Sequence, residues 1–79
     1  MKIKVLFFGA TAAAVGKRYA EFETQKDEAV GELLTELCDK YPRLSNHKLF
    51  VAINEEYAEP DANLSPGDEV AIFTAVSGG

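Results

Sequence analysis

Val30, Leu33, Leu34, Leu37, Cys38 and Tyr41 recur at three- and four-residue spacing, which places them on one face of a single principal α-helix. Glu28, Glu32, Glu36 and Asp39 take the opposite face, where solvent is expected. Thr24-x-x-Asp27 reads as a capping box ahead of the helix, acidic residues in the first turn suit the positive end of its dipole, and Pro42 marks its stop. One amphipathic helix cannot cover its own apolar stripe. The segments on either side of it must supply a sheet.

Those segments do alternate. Lys2 to Phe8 sets Ile3, Val5 and Phe7 against Lys4, Leu6 and Phe8, and Lys17 to Thr24 sets Tyr19, Glu21 and Glu23 against Ala20 and Phe22, so the two read as a strand hairpin. The outward side of the first strand turns apolar at Leu6 and Phe8, as expected of a central strand or of one that meets a partner. Thr11 to Val15, closed by Gly16, is expected to be a connector and not a full helix. After the helix, Leu49 to Ile53 is a buried-strand candidate, Asn54-Glu55-Glu56 a turn, and Tyr57-Ala58 a brief edge strand before Pro60. Ser65-Pro66-Gly67-Asp68 has the Pro and Gly of a tight turn and leads into a last strand, Glu69 to Thr74, with Val70 and Ile72 facing away from Ala71 and Phe73. The order β-β-α-β-β-β predicts an α+β fold with a mixed sheet wrapped on one helix.

A chain of 79 residues can build one core and leaves little room for a deep internal site. With 47% hydrophobic and 27% charged residues it should fold unaided, and a net charge of −5 argues against nucleic acid, whose binding needs clustered Lys and Arg. Cys38 is the only cysteine, so neither an intrachain disulfide nor a cysteine zinc site is expected. The apolar run from Met1 ends at Gly9, too short for a signal peptide or a membrane span, and the expected home is the cytoplasm without membrane attachment.

Catalytic parts are missing. His47 is the sole histidine and sits in a polar loop, so a nucleophilic triad or a multi-histidine metal site cannot be assembled. Cys38 lies on the helix's apolar stripe and reads as a small buried hydrophobe. The carboxylate pairs Asp27-Glu28, Glu55-Glu56 and Asp68-Glu69 read as solvated faces, caps and turns, and no phosphate-loop motif is present. The terminus differs: Val76-Ser77-Gly78-Gly79 follows the last strand, and residues 75–79 could reach ~17 Å from it. Two glycines can thread a channel too narrow for other residues and would carry the Gly79 carboxylate at their tip. The plainer alternative is an end that carries nothing.

Lys2-Ile3-Lys4-Val5-Leu6-Phe7-Phe8-Gly9, the helix ending at Tyr41-Pro42, Val51-Ala52-Ile53-Asn54, Leu64-x-x-Gly67-Asp68-Glu69-Val70-Ala71 and the terminal Val76-Ser77-Gly78-Gly79 together resemble the MoaD family. Its members are the small sulfur-carrying subunits of molybdopterin synthase, relatives of ubiquitin and of the thiamine sulfur carrier ThiS. The resemblance spans nearly the whole chain and implies a ubiquitin-like β-grasp domain over residues 1–74 with a flexible tail at 75–79. It also implies that Gly79 is adenylated and then converted to a thiocarboxylate. The protein would bind no cofactor itself, ATP being consumed by a partner activating enzyme of the ubiquitin-activating type. The other partners implied are a sulfur donor and the large synthase subunit, in a heterotetramer.

Phe8, Tyr57 and Phe73 match apolar contact positions of that family, and Val76, Ser77 and Gly78 match the inserted tail. On physical grounds Leu6, Phe8 and Phe73 would form an exposed patch near the root of the tail; the alternative has the aromatics packed beneath an intervening loop. One departure stands out: Thr74-Ala75 occupies the place where many members carry two prolines. That leaves open a ThiS-like role in thiamine synthesis. A ubiquitin-like modifier joined through Gly79 to lysines, or an interaction domain with an inert tail, are the alternatives of another class.

Overall fold

The computed structural model describes residues 1–74; the expected tail at 75–79, and with it Val76, Ser77, Gly78 and Gly79, lies outside the described residues. The elements run β1 (Lys2–Phe7), α1 (Ala10–Val15), β2 (Tyr19–Glu23), α2 (Val30–Lys40), a short 3₁₀ helix (Pro42–Asn46), β3 (Leu49–Ile53), β4 (Glu56–Ala58) and β5 (Glu69–Thr74). The strands form one sheet in the order β2-β1-β5-β3-β4. Only the β1–β5 pairing is parallel, so the sheet is mixed, and the last strand lies at its centre.

Alternation decides the faces as expected. Ile3, Val5 and Phe7 from β1, Val70 and Ile72 from β5 and Val51 from β3 turn inward, and Val30, Leu33 and Leu37 of α2 complete the same buried cluster. The turn into β5 forms as read: Asp68 N–H bonds the Ser65 carbonyl at 3.1 Å across Pro66-Gly67, with Gly67 at φ 81°. At the β3–β4 hairpin Asn54 and Glu55 both take positive φ, the geometry of the tight turns that match strand twist.

Three expectations change. The connector after β1 is a helix of six residues, ended by Gly16 at φ 84°, and its Thr11 is fully buried. The capping box is not at Thr24-x-x-Asp27: Asp27 sits in a turn at φ 60°, and α2 starts after Ala29, whose N–H is bonded by the Glu32 carboxylate at 3.0 Å. Alanine offers no oxygen to return that bond, so only half of a box exists. The 3₁₀ helix was not foreseen, and it inserts Leu44 fully into the core beneath the sheet end.

Glu28 is the third change, because it leaves the wet face. It precedes α2, is 4% exposed, and its backbone carbonyl takes the Leu64 N–H at 2.8 Å. Burial raises its carboxyl above the ordinary 4.5, a hydrogen bond and then the charge of Glu36 raise it further, Glu32 adds to this, and only the Gln25 N–H pulls the other way. When ionised it cannot donate to Glu36, and its Oε2 is left with no partner among the described residues. A carboxyl whose folded value lies above its unfolded one favours the fold fully below 4.5 and loses that contribution as pH rises through the folded value. Glu28→Gln, which can donate at every pH, should therefore raise stability near neutrality by about 1 kcal/mol. Thermal unfolding on either side of 4.5 checks this: the gain should vanish on the acid side.

Candidate functional site

The outward face of the sheet is divided. Toward one end Glu21, Lys4 and Glu69 stand side by side on β2, β1 and β5, and the strip is charged. One pleat further, the register aligns Tyr19, Leu6, Ala71, Ala52 and Tyr57 across all five strands. Small residues at the centre and aromatic ones at both ends make a shallow apolar floor. Beyond it Phe73 stands opposite Phe50, and Phe8 follows directly after β1.

Three of these rings form a cluster. Phe73 stacks on Phe50 with centroids 6.1 Å apart at 23°, and Tyr57 meets Phe73 edge-on at 5.7 Å. Such pairs contribute ~0.5–1.5 kcal/mol beyond their buried area, so the rings hold one another in place. The Lys48 ammonium lies 5.7 Å from the Phe50 centroid and extends the cluster toward the start of β3. Tyr57 is nevertheless 83% exposed and Phe8 51% exposed, so no described segment covers them as the packed alternative required. The three large exposed hydrophobics, Phe8, Tyr19 and Tyr57, all edge this one floor.

Sequence reading thus placed Tyr57 and Phe73 together correctly. Phe8 lies one strand away and stacks on no ring among the described residues. Phe50 was missed. Its signal was available in the alternation of Leu49, Val51 and Ile53 with Phe50 and Ala52, which puts Phe50 outward once β3 is given one wet face. A groove of about 470 Å³ runs beside Phe8 between Leu6, Ala12, Arg18 and Tyr19 and continues the apolar surface past the sheet.

The rest of the surface offers less. His47 is exposed at the end of the 3₁₀ helix, and Cys38 is half-buried on α2 against the core. Among the described residues no three of His, Cys, Asp and Glu converge as metal ligands would, and no helix is long and apolar enough to cross a membrane. Asp68 is occupied as a turn residue, accepting from the Asn54 side chain at 3.0 Å and the Ser65 N–H at 2.8 Å. The site that remains is the aromatic floor, and it borders the end of β5. Thr74, paired with Leu49, is the last described residue before Ala75.

Comparison with known proteins agrees with this geometry. The model of the ThiS family matches residues 5–79. The molybdopterin synthase sulfur carrier subunit of Mycobacterium tuberculosis is 39% identical over 82 residues, covering 100% of this chain and 99% of that one. The crystal structure of SAMP1 from Haloferax volcanii superposes with a TM-score of 0.86 at 27% identity, covering 100% of both chains. A chain in the complex of subunits 1 and 2 of molybdopterin-converting factor from Helicobacter pylori shares the fold, with a TM-score of 0.71 at 20% identity and 100% of both chains covered.

Proposed function

The chain belongs to the ThiS family, and from that membership we propose that it is the sulfur carrier subunit of a molybdopterin synthase, charged and discharged at the carboxylate of Gly79. The observation that carries the proposal is positional. The exposed aromatic floor and residues 75–79 meet at one place, the end of the central strand β5, so a partner seated on Phe8, Phe50, Tyr57 and Phe73 stands where the reactive segment begins.

The chemistry follows from the weakness of a carboxylate as an electrophile. A partner of the ubiquitin-activating type uses ATP: a Gly79 oxygen takes the adenylyl group and pyrophosphate leaves. A sulfur donor then attacks the acyl carbon, AMP leaves, and a thiocarboxylate remains. In the large synthase subunit that sulfur passes to the pterin precursor, and the carboxylate returns for another cycle. The chain itself supplies the docking surface and the carrying group, and holds no cofactor. Its two docking partners are used in turn, and the assembled synthase is a heterotetramer of two small and two large subunits.

The relative that is 39% identical along the full length favours the molybdopterin pathway over thiamine synthesis, even with Thr74-Ala75 at the root of the tail. A second reading, a protein modifier joined through Gly79 to lysine side chains, is favoured by the likeness to SAMP1, a small archaeal modifier protein. Affinity purification of the tagged full-length chain from its own cells separates the two. Stoichiometric recovery of a molybdopterin synthase large subunit supports the carrier, whereas a ladder of covalent lysine conjugates without that subunit contradicts it.

A further inference from the structure

Buried polar side chains are few in this domain, and two of them, Thr24 and Glu28, leave an oxygen without a partner among the described residues. Thr11 differs. Its hydroxyl, 0% exposed, accepts the Phe8 N–H at 2.9 Å, and its single proton serves two carbonyls, that of Phe8 at 2.7 Å and that of Ile72 at 2.8 Å. The Thr11 N–H also bonds the Phe8 carbonyl at 3.1 Å. Both peptide groups of Phe8 are therefore clamped by one residue, and the clamp is fastened to β5 immediately before Phe73.

The local sequence makes this possible. Gly9 takes φ 56° and ψ −126°, a conformation that side chains oppose, and so lets the chain fold back and set Thr11 beneath Phe8. Packing alone does not call for a hydroxyl here, because valine has the same shape and no polar group to bury. Phe8 is where orientation is needed. It has left β1, it is 51% exposed, and no aromatic ring stacks on it among the described residues.

We propose that Thr11 is a positioning residue for docking: it fixes the backbone of Phe8 against β5, so that Phe8 and Phe73 present one rigid surface beside the root of residues 75–79. The inference rests on the reading of that face as the seat of the large subunit. Ordering paid for in the free protein is not paid again on binding, and a clamp of this kind raises affinity without touching the partner.

The test compares Thr11→Val, which keeps the shape and removes the bonds, with Thr11→Ser, which keeps the hydroxyl. Backbone 15N relaxation on the free full-length proteins should show greater fast motion at Phe8 and Gly9 in Thr11→Val and none added in Thr11→Ser. Titration with the molybdopterin synthase large subunit from the same organism should show binding weakened ~10-fold by Thr11→Val and restored in Thr11→Ser, the loss of about one hydrogen bond's worth of preorganisation. Leu37→Val, on the far side of the core, controls for instability and should bind as the unaltered protein does. Unchanged mobility and affinity in Thr11→Val, or an equal loss in Leu37→Val, overturns the positioning role. If the unaltered protein itself fails to bind the large subunit, the carrier reading falls and the docking role with it, while the relaxation data still decide whether the clamp exists.

Discussion

Phe73→Glu should weaken binding to the large synthase subunit by at least ~30-fold while the protein stays folded, because a central aromatic anchor typically contributes ~2 kcal/mol or more to such an interface. Phe73 joins the patch together: it stacks on Phe50, supports Tyr57 edge-on, and stands on the strand that leads to Ala75. A carboxylate there removes both ring contacts and must be desolvated when the partner seats, with the Lys48 ammonium as the nearest counter-charge to the Phe50 ring beside it. Phe73→Leu, apolar but unable to stack, should fall between the two. Because Phe73 faces outward on β5 and is only half-buried, the core of Ile72 and Val70 is left intact, and the melting temperature should move little. Titration calorimetry against the large subunit, with circular dichroism on the free variants, checks both halves of the expectation. Undiminished affinity in Phe73→Glu would remove the aromatic floor from the account.

The sheet was legible because each strand is wet on one face. Alternation in β1, β2 and β5 gave both the strands and their inward residues, and Gly67 behind Pro66 gave the turn that sets the register of β5. The helix stripe was equally plain. What escaped the sequence depended on contacts between distant segments. Leu44 looks like one apolar residue in a polar loop, and only the path of the chain after α2 drives it into the core. Glu28 fits the polar helix face by spacing, but Leu64 from a remote loop bonds its carbonyl and holds the residue inside. Thr11 carried no signal either, since a threonine beside alanines in a short connector is ordinary until Ile72 arrives from sixty-one residues away.

The candidate site shows the same division. Phe8, Tyr57 and Phe73 were found through family resemblance and through the outward alternation of their strands. Phe50 was hidden by reading Leu49 to Ile53 as buried on both faces, although β3 has one exposed face, like its neighbours. The reactive group itself follows from elimination as much as from likeness. No side chain in residues 1–74 combines a nucleophile with a base, whereas the terminal carboxylate needs only a partner to activate it.

Removing Gly79 is the second change with a large expected effect. The carboxylate would then stand on Gly78, about 3.5 Å short of its place, and misplacement on the ångström scale costs on the order of 100-fold in rate. Sulfur transfer to the pterin precursor should fall by at least that factor, with thermal unfolding and binding through Phe73 nearly unchanged. The most direct measurement is the intact mass of the full-length chain after incubation with its adenylating enzyme, ATP and a sulfur donor. A species heavier by the difference between one sulfur and one oxygen, absent without ATP and absent from the chain lacking Gly79, is the predicted result. A full-length chain whose mass stays unchanged when all three components are present and active would contradict the carrier function.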